Sequence, residues 1–252
     1  MDHKDKQTSL QIGISIFVLL AFFTLVEFLV AANFDVYYLL VLIALVKGGL
    51  VLYYYMHISR LGLKEGRDDH GSYAYKSGTN RLGLWLFLLS DSFVFGGLLL
   101  TRFSLLGLER PELNQALGLG VTTVLLISSF FMNRAETQME HGDRKGFLRN
   151  SMITIVLGIG FLIGVVGLEW QIAPFGPSDG PEGSVFYGMT GFHAFHVLTG
   201  VIFLLIVYRN AMKNLYSKEK HWAVEAAAVY WHFIDVVWII FYPALYLIGN
   251  VV

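Results

Sequence analysis

Long apolar runs separated by short polar stretches dominate the chain. Seven of these runs hold about 20 residues each, the length that a helix needs to cross a hydrocarbon layer of about 30 Å. No run alternates apolar and polar residues as a membrane-spanning strand would, so each is expected to satisfy its backbone as a helix. The predicted spans are residues 11–32, 36–57, 82–103, 115–133, 151–172, 186–208 and 225–248.

Composition also indicates an integral membrane protein. Of the 252 residues, 55% are hydrophobic and 15% are charged, whereas soluble domains carry about 25% charged residues. The net charge of −1 offers no basic surface, so no nucleic-acid partner is expected. The chain has no cysteine, which excludes disulfides, thiolate metal sites and thiol catalysis. The polar start "MDHKDKQTS" leads straight into apolar residues without a small-residue cleavage site, which favours a retained first span.

Basic residues alternate between rich and poor segments along the chain. Each rich segment carries two to four lysine or arginine residues, and each loop between them carries at most one. The rich segments are the N-terminal tail and residues 58–80, 134–149 and 209–224. Because positively charged loops stay on the cytoplasmic side, this pattern predicts a cytoplasmic N-terminus and, after seven spans, a periplasmic C-terminus.

The longest polar stretch between two spans is "ISRLGLKEGRDDHGSYAYKSGTN", residues 58–80. It divides the chain into two hydrophobic units, and no internal repeat relates them. We therefore predict an all-α membrane protein with two plus five transmembrane helices. Its parts are a two-helix hairpin at residues 1–58, a cytoplasmic linker at 59–80 and a five-helix bundle at 81–252.

Ionisable residues within the predicted spans are candidate functional groups, because charge at membrane depth is costly. A helix rises about 1.5 Å per residue, which places each group by its distance from the cytoplasmic helix end. Groups from four helices fall about 14–18 Å from that end, near the bilayer centre: Lys47, Asp91, His196 and Asp235. Three others fall roughly 23–27 Å from it, in the outer half: Glu27, Glu169 and His193.

Two pairings are expected among these groups. Lys47 and Glu27 lie on adjacent antiparallel helices with a depth offset of about 8 Å, which a long lysine side chain can bridge, so a structural ion pair is favoured. Asp235 follows His232 by three residues, which suits a side-chain pair on one helix face. Asp91 has no basic neighbour on its own helix and is either a hydrogen-bonding residue or part of a proton path.

His193 and His196, in "TGFHAFHVLTG", lie one helical turn apart within an apolar segment. As haem ligands, each needs an imidazole at matching depth on an opposing helix, and His232 lies roughly 8 Å shallower than His196. As metal ligands, the pair needs two further ligands from other helices. The sequence also contains no G-x-S-x-G, Walker or H-E-x-x-H motif. We therefore expect neither a metal or haem site nor a catalytic residue in this chain.

Residues 80–250 carry five motifs in this order: "RLGLWLFLLSDSFVFGGLL", "TTVLLISSFFMNRAE", "LGIGFLIGVVGLEWQ", "FYGMTGFHAFHVLTG" and "VEAAAVYWHFIDVVWIIFYPALYLIG". Taken in sequence, they resemble subunit III of the haem–copper oxidases. The last two are highly specific, because they resemble the family's F-H-x-x-H-V-x-x-G signature and its final helix.

This resemblance implies a subunit with no redox centre, in which the two histidines pack and hydrogen-bond within the bundle. Haem a and copper are then expected in partner subunits, with oxidase subunits I and II as partners and phospholipid as a ligand. Roles in proton uptake, in protection during turnover and in guiding oxygen are implied as well. The implied buried polar or proton- and oxygen-path candidates are Asp91, Glu169, His193, His196, His232 and Asp235, and the lipid-headgroup candidates are Arg209, Lys213 and His221.

Parts of the chain depart from the family pattern. Asp91 stands where the family has a glutamate, and Trp170 stands where a tyrosine usually follows Glu169. The segments "FFTLVEFLVA" and "LLVLIALVKGGLVLYYYMHIS" resemble instead the small bacterial oxidase subunit IV, without its third span. We therefore expect a fused subunit IV–III polypeptide, in which the hairpin removes or rebuilds part of the family's lipid cleft.

The expected function is that of a non-catalytic subunit of a bacterial aa3-type cytochrome c oxidase in the inner membrane. Such a complex reduces oxygen, pumps protons, receives cytochrome c through another subunit and can join a respiratory supercomplex. Three alternatives stay open: a quinol oxidase subunit III, a nitric oxide reductase accessory subunit and a freestanding proton-coupled transporter. The transporter is disfavoured because it predicts inverted repeats or broken helices, whereas the spans hold a single proline, Pro243.

Overall fold

The computed structural model describes residues 2–33, 36–56 and 73–251. Within these ranges, seven helices are long and apolar enough to cross a membrane, which confirms the predicted all-α membrane fold. Several of these helices continue beyond the predicted apolar runs, because the polar residues next to each run also form backbone hydrogen bonds of the helix. The spans are Gln7–Asn33, Tyr37–Tyr55, Tyr75–Leu106, Gln115–Glu140, Arg144–Ile172, Gly180–Met212 and Trp222–Leu247.

Eight α-helices of the described residues build these spans. They are α1 (Asp2–Asn33), α2 (Tyr37–Leu50), α3 (Tyr73–Leu106), α4 (Gln115–Glu140), α5 (Arg144–Leu162), α6 (Trp170–Ile172), α7 (Gly180–Met212) and α8 (Trp222–Tyr242). Three π-helical segments extend or join them: Val51–Tyr55 follows α2, Ile163–Glu169 joins α5 to α6, and Pro243–Leu247 follows α8. Such wider turns are rare in proteins and frequent at functional sites.

The segment that the sequence assigns to the linker is helical at its end. α3 begins at Tyr73, inside residues 59–80, while residues 57–72 lie outside the described part of the chain. The Tyr73 hydroxyl accepts the first backbone N–H of α8 at 2.8 Å, and Arg81 forms a two-pronged ion pair with Glu225 at 2.9 and 3.1 Å. These contacts hold the polar first turns of α3 against the start of α8.

Short polar side chains cap the starts of α4 and α5, and a glycine lies in the turn that joins the two helices. Asn114 caps the start of α4 by accepting the backbone N–H of Leu117 at 3.0 Å, and Asp143 caps α5 by accepting that of Gly146 at 3.0 Å. Gly142 has a φ of +77°, a conformation that residues with a side chain rarely adopt. The turn is therefore tight, and α5 packs along α4.

α8 lies at the centre of the bundle. Every residue from Ala226 to Ile239 is buried, and α2, α3, α4 and α7 pack around the helix. In its most apolar stretch 83% of the residues are buried, compared with 11% for α3, so α8 meets protein on all sides whereas α3 lies at the edge. An apolar helix of this kind needs cover all around, and here neighbouring helices provide it.

The N-terminal hairpin completes the wall around α8. α1 packs on α4, α2 packs on α8, and both contact the π-helical segment Pro243–Leu247. The Tyr55 hydroxyl, at the end of the second span, donates to the backbone carbonyl of Gly13 at 3.0 Å and so ties the two helices of the hairpin together. The hairpin is thereby placed against the face of α8 that α3 and α7 leave uncovered.

Two glycines let α5 and α7 approach the ring of Trp231 on α8. A Cβ atom at Gly158 would lie 2.5 Å from this ring, and one at Gly200 would lie 3.0 Å from it. Small residues at such crossings allow close helix packing in membranes. The indole N–H of Trp231 also donates to Ser128 Oγ on α4 at 3.1 Å, so one side chain joins four helices.

Arg102, near the end of α3, holds together one end of the bundle. Its guanidinium is fully buried and donates to four backbone carbonyl groups at 2.6–2.8 Å. The acceptors are those of Gly107, Glu109, Ala244 and Ile248. Beside them, strands β1 (Glu109–Arg110) and β2 (Asn250–Val251) pair in parallel. Carbonyl groups at helix ends have no hydrogen-bond donor within the helix. Arg102 is the donor to these groups here.

Apolar side chains cover the outer faces of α1, α2, α3, α5 and α7. Phe93 and Leu100 on α3 are 74% and 69% exposed, for example. Apolar faces of this extent are typical of surfaces that contact lipid tails or other membrane helices.

Gly158→Ala tests the close contact between α5 and α8. We expect the variant to lose about 1–3 kcal/mol of stability, because the added methyl group forces the Trp231 ring or the helix to move. Thermal unfolding of the detergent-purified protein, followed by tryptophan fluorescence, measures the effect. Gly160→Ala is the matched control, since nothing lies within 4 Å of its added Cβ atom, and it should not lower Tm. Equal loss in both variants would contradict the contact.

Candidate functional site

The polar groups predicted at membrane depth fall into separate buried clusters. Lys47 pairs with Glu27, and Asp91 faces His196. A third cluster forms around His232 on α8. Equal depth in the membrane therefore does not bring the four mid-membrane groups into one site; the structure divides them among three clusters.

Glu27 of α1 and Lys47 of α2 form an ion pair inside the hairpin. The ammonium group contacts Glu27 Oε2, and both residues are 0% exposed. The other oxygen, Glu27 Oε1, makes no hydrogen bond to a described residue. A charge pair without access to water holds its two helices in a fixed register, because separating the charges would leave each unpaired in an apolar surrounding.

Asp91 of α3 faces His196 of α7. Oδ2 of Asp91 lies 3.1 Å from Nε2 of His196, and Nδ1 of His196 lies 2.8 Å from the carbonyl oxygen of Phe192. A carbonyl oxygen only accepts, so Nδ1 carries a proton. Nε2 therefore faces the carboxyl group of Asp91, and this contact joins α7 to α3 within the membrane-spanning part of the bundle.

Hydroxyl groups from α7 and α8 extend this cluster. Thr199 donates to the carbonyl oxygen of His196 at 2.9 Å, so the Tyr230 hydroxyl, 2.8 Å from Thr199 Oγ, is the donor to Thr199. The ring of Phe95 packs edge-on against the imidazole at a centroid distance of 4.8 Å. The side chains of Asp91 and His196 are 13% and 8% exposed, so this cluster reaches the surface between α3 and α7.

His232, Asp235 and Ser129 form a cluster between α8 and α4. His232 Nδ1 lies 2.7 Å from Ser129 Oγ and 3.7 Å from Asp235 Oδ2, so the hydroxyl is the nearer partner of the imidazole. Asp235 is 1% exposed. The Tyr55 ring, 5.0 Å from the His232 ring, brings the end of the hairpin to the same place. The helix-face pair predicted from the three-residue spacing is therefore a three-group arrangement that includes α4.

His193 is fully buried among aromatic rings. Its imidazole lies 4.8 Å from the Trp238 ring at 34° and meets the edge of Phe161 at 5.6 Å. Neither ring nitrogen makes a hydrogen bond to a described residue. The two histidines thus differ: His196 packs and hydrogen-bonds, whereas His193 packs only.

The histidine pair does not form a shared ligand set. His193 contacts α5 and α8 and His196 contacts α3, although the two side chains leave the same helix one turn apart. Across residues 2–33, 36–56 and 73–251, no three His, Asp or Glu side chains gather as metal ligands do.

Glu169 ends the π-helical segment after α5 and is 1% exposed. Its carboxyl group interacts with the hydroxyl of Tyr246, in the π-helical segment after α8. The next residue, Trp170, donates its indole N–H to Thr190 Oγ at 3.0 Å and accepts the Tyr187 hydroxyl at its backbone carbonyl at 3.0 Å. The residue that departs from the family's tyrosine is therefore firmly anchored to α7.

The lipid-headgroup candidates lie at one end of the bundle. Arg209 and Lys213 are exposed at the end of α7, and His221 is half-buried immediately before α8. Arg144 of α5 donates to the carbonyl oxygens of Ala211 and Met212 and so closes the end of α7 beside them. Charged groups placed there suit contact with phosphate groups of the membrane surface.

An apolar cavity of about 140 Å³ lies between α3 and α8. Aromatic rings from both helices line it, among them Phe95, Phe233 and Phe241. Ser92 contributes the hydroxyl in its wall, and this group already donates to the Leu88 carbonyl at 2.7 Å. The cavity therefore suits an apolar group such as a lipid acyl chain.

Sequence reasoning missed Arg102 and the Arg81–Glu225 pair as organising residues. Arg102 lies at the end of the predicted span 82–103, and Arg81 lies just before its start. A basic residue at the edge of an apolar span is the signal that could have identified both, but the partners Glu225, Ala244 and Ile248 lie more than 100 residues away in sequence.

Lys47→Met tests the ion pair of the hairpin. We expect a loss of about 3–5 kcal/mol, because Glu27 would be left buried without its counter-charge. The double variant Glu27→Leu with Lys47→Met should recover most of this loss, since it removes both charges. Thermal unfolding in detergent measures both effects, and Lys145→Met, on an exposed lysine, is the control for the exchange itself. Equal Tm values for wild type and Lys47→Met would contradict the pair.

The chain matches the sequence model of the family described as cytochrome c oxidase subunit III, over residues 3–250. The match includes α1 and α2 as well as the five-helix bundle that carries the motifs quoted above.

Several proteins named cytochrome c oxidase subunit 3 are similar to the chain. That of Rhinoceros unicornis is 36% identical over 183 residues, which cover 68% of this chain and 70% of that protein. That of Dugong dugon is 33% identical over 226 residues, 84% of this chain and 85% of that protein. That of Bos taurus is 41% identical over 143 residues, 57% of this chain and 52% of that protein. With a family match over nearly its whole length, the chain belongs to the cytochrome c oxidase subunit III family.

Proposed function

We propose that the chain is a non-redox accessory subunit of a bacterial aa3-type cytochrome c oxidase and that it packs on subunit I. The family match over residues 3–250 carries this proposal. The placement of the histidines supports it, because His196 faces Asp91 and His193 lies among aromatic rings. Haem a, copper and the reduction of oxygen are then assigned to partner subunits, with subunit II as a second neighbour and cytochrome c reaching the complex elsewhere.

Packing is the main physical task in this proposal. The exposed apolar faces of α3, α5 and α7 offer contact area to subunit I, while the buried α8 keeps these helices in place. Polar contacts between helices add about 1 kcal/mol each to the stability of such a bundle. A rigid accessory subunit of this kind would help to keep the oxidase complex stable during turnover. The same apolar faces would also be available for contacts with other complexes in a respiratory supercomplex.

Proton uptake is assigned to the Asp91–His196 cluster. A carboxyl group and an imidazole, two side chains that can carry protons, lie 3.1 Å apart there, and both are partly exposed at the surface of the bundle. The aspartate is shorter than the family's glutamate, and its carboxyl group lies 3.1 Å from His196 across the helix interface. Glu169, His193, His232 and Asp235 are buried and are proposed as structural polar groups or as neighbours of an oxygen path.

Phospholipid binding is assigned to two places. Arg209, Lys213 and His221 would hold headgroup phosphates at the end of α7, and the apolar cavity between α3 and α8 would receive an acyl chain. The positive charges at the end of α7 suit the phosphate headgroup of a lipid, and the aromatic walls of the cavity suit its acyl chain.

The proposed location is the bacterial inner membrane, with the N-terminus in the cytoplasm and the C-terminus in the periplasm. The alternation of basic residues among the loops supports this orientation. The fused subunit IV–III origin of the chain stays a prediction that rests on the resemblance of the first two spans. The family match from residue 3 and the packing of α1 on α4 favour the other assignment, in which these spans are the family's own.

A quinol oxidase remains the nearest alternative, because the electron donor binds to another subunit. A nitric oxide reductase and a proton-coupled transporter are less well supported, since the relatives are named as cytochrome c oxidase subunits.

Purification through a tag on this chain in a mild detergent tests the assignment. We expect a large partner subunit by mass spectrometry and the bands of haem a in the reduced-minus-oxidised spectrum. A co-purifying c-type cytochrome would favour cytochrome c over quinol as donor. A colourless chain purified alone would contradict the proposal and favour the transporter, and haem in the isolated chain would overturn the structural assignment of His193 and His196.

The absence of cysteine from the sequence allows a direct test of orientation. Ser217→Cys, in the turn between α7 and α8, should be shielded in intact cells from a maleimide that cannot cross membranes. Ser178→Cys, in the turn before α7, should react, because the two turns are expected on opposite sides. Both serines are exposed, so each variant is the control for the other, and permeabilised cells should label both. The reverse pattern would invert the proposed orientation.

A further inference from the structure

An apolar groove lies on the surface of the bundle, where α7 packs beside the end of α5 and the π-helical segment that follows it. Its volume is about 430 Å³, and every residue that lines it is apolar or glycine. Gly167 and Ala194 line it with little or no side chain, while Ile163 and Phe195, each 58% exposed, stand beside them. Because small residues lie between large exposed ones, the surface is recessed between the two helices.

The groove lies at membrane depth, in one half of the bilayer. On the α5 side it runs from Ile159 to Gly167, which is about 12 Å at the rise of a helix. The span that contains these residues, Arg144–Ile172, has its midpoint at residue 158. One leaflet contributes about 15 Å of hydrocarbon, half of the usual thickness. The groove therefore faces the acyl chains of the leaflet on the Ile172 side.

Two aromatic side chains mark one end of the groove. The rings of Trp170 and Tyr187 lie 5.3 Å apart, and both residues are half-buried. The indole N–H of Trp170 donates to Thr190, and the indole ring would lie 3.5 Å from a Cβ atom at Gly191 on α7. Tryptophan and tyrosine gather at the level of lipid headgroups. The groove thus runs from headgroup level towards the bilayer centre, which is the path of an acyl chain.

The size of the groove favours a hydrocarbon chain over a helix as its occupant. A helix is about 10–12 Å wide, so a 12 Å length of it occupies roughly 900–1,400 Å³. The groove offers about 430 Å³, less than half of that volume. A partner helix could therefore insert only side chains, whereas a flexible chain can fill the recess along its length. Close packing drives such binding, because lipid tails are as apolar as the groove itself.

Charge at the same membrane surface indicates the headgroup. Residues 170–192 contain two acids, Asp179 and Glu182, and no lysine, arginine or histidine. Carboxylates attract an ammonium group and repel an anionic headgroup. The opposite membrane surface, in contrast, carries the basic residues assigned above to headgroup phosphates. The groove therefore favours a zwitterionic phospholipid with an ammonium headgroup.

We propose that the groove between α5 and α7 binds an acyl chain of a phosphatidylethanolamine from the leaflet on the Ile172 side, with the headgroup beside Trp170 and Tyr187. This site is separate from the cavity between α3 and α8 and from the basic residues at the end of α7. With lipid in the groove, the proposed contact with subunit I falls to the remaining apolar faces. The site follows from the surface of this chain and does not depend on the oxidase assignment.

Crosslinking with photoreactive lipids tests the proposal. The tagged complex is reconstituted into nanodiscs of equal parts phosphatidylethanolamine and phosphatidylglycerol. Each sample contains a trace of one of these lipids with a diazirine in its acyl chain, and the two probes carry the same chains. After illumination, mass spectrometry of peptides measures the labelling of Ile163 and Phe195 in the groove. The exposed face of α1 around Ile14 and Val18 reports contact with bulk lipid.

The ratio of the two labels decides the outcome. We expect the ethanolamine probe to label the groove more than the glycerol probe does, and both probes to label α1 alike. Equal labelling of the groove would reduce its occupant to bulk lipid and overturn the proposal, and an excess of the glycerol probe would overturn it as well. A groove that stays unlabelled in the assembled complex would be covered by a protein partner, which also contradicts the proposal.

Gly167→Leu provides a matched variant that fills the groove. Labelling of Phe195 by the ethanolamine probe should fall to the level of α1, because the added side chain takes the space of the lipid chain. Gly160→Leu is the control, since Gly160 is exposed on the same span, does not line the groove and has nothing within 4 Å of an added Cβ atom. Unchanged labelling in Gly167→Leu would place the lipid elsewhere and overturn the site.

Ser184→Lys tests the position of the headgroup. Ser184 is exposed and lies 11 residues before Phe195, which places it within about 20° of the same helix face and about 16 Å nearer to the headgroups. A lysine there should shift the ratio of groove labelling by up to about fivefold towards the glycerol probe, the effect of an exposed ion pair. Ser217→Lys, in the turn after α7, is the control and should leave the ratio unchanged. An unchanged ratio in Ser184→Lys would contradict the proposed headgroup position.

Discussion

The hydrocarbon layer offers no hydrogen-bonding partner to a polar group, and most of the arrangement around α8 follows from this constraint. The backbone meets it by forming helices, and the polar side chains meet it by pairing across helix interfaces. Lys47 reaches from α2 to α1, and His196 reaches from α7 to α3. Because each partner lies on another helix, satisfying the polar groups also determines which helices are neighbours.

Sequence patterns predict the spans well because length and hydropathy are properties of each segment alone. The Glu27–Lys47 contact was also within reach, since the two residues lie on consecutive helices joined by a short turn. The partner of Asp91 was not, because α3 and α7 become neighbours only when all helices pack around α8. The predicted depth in the membrane places Asp91 and His196 at the same level, but Asp235 and Lys47 also lie at that level. Depth alone therefore does not identify the partner of Asp91.

Residues whose partners are backbone atoms are harder to predict. Arg102 donates to carbonyl groups in the segment that follows its own helix and in the distant segment after α8, and no side-chain pattern marks a carbonyl group as an acceptor. His193 illustrates a related difficulty, because it shares a helix and a motif with His196. A step of three residues turns a helix by about 300°, so the two imidazoles point about 60° apart. Within a crowded bundle this difference in direction places His193 among aromatic rings and His196 beside the carboxyl group of Asp91.

The polar interior of this subunit is largely closed. Glu27, Lys47, Asp235, Glu169 and His193 are at most 1% exposed, so a neighbouring subunit cannot touch them in this arrangement. Asp91 and His196, with side chains 13% and 8% exposed, form the cluster among the predicted mid-membrane groups that reaches the bundle surface. Of the mid-membrane clusters, the Asp91–His196 pair is therefore the one that a neighbouring molecule can reach, while the closed clusters keep the helices that carry it in register.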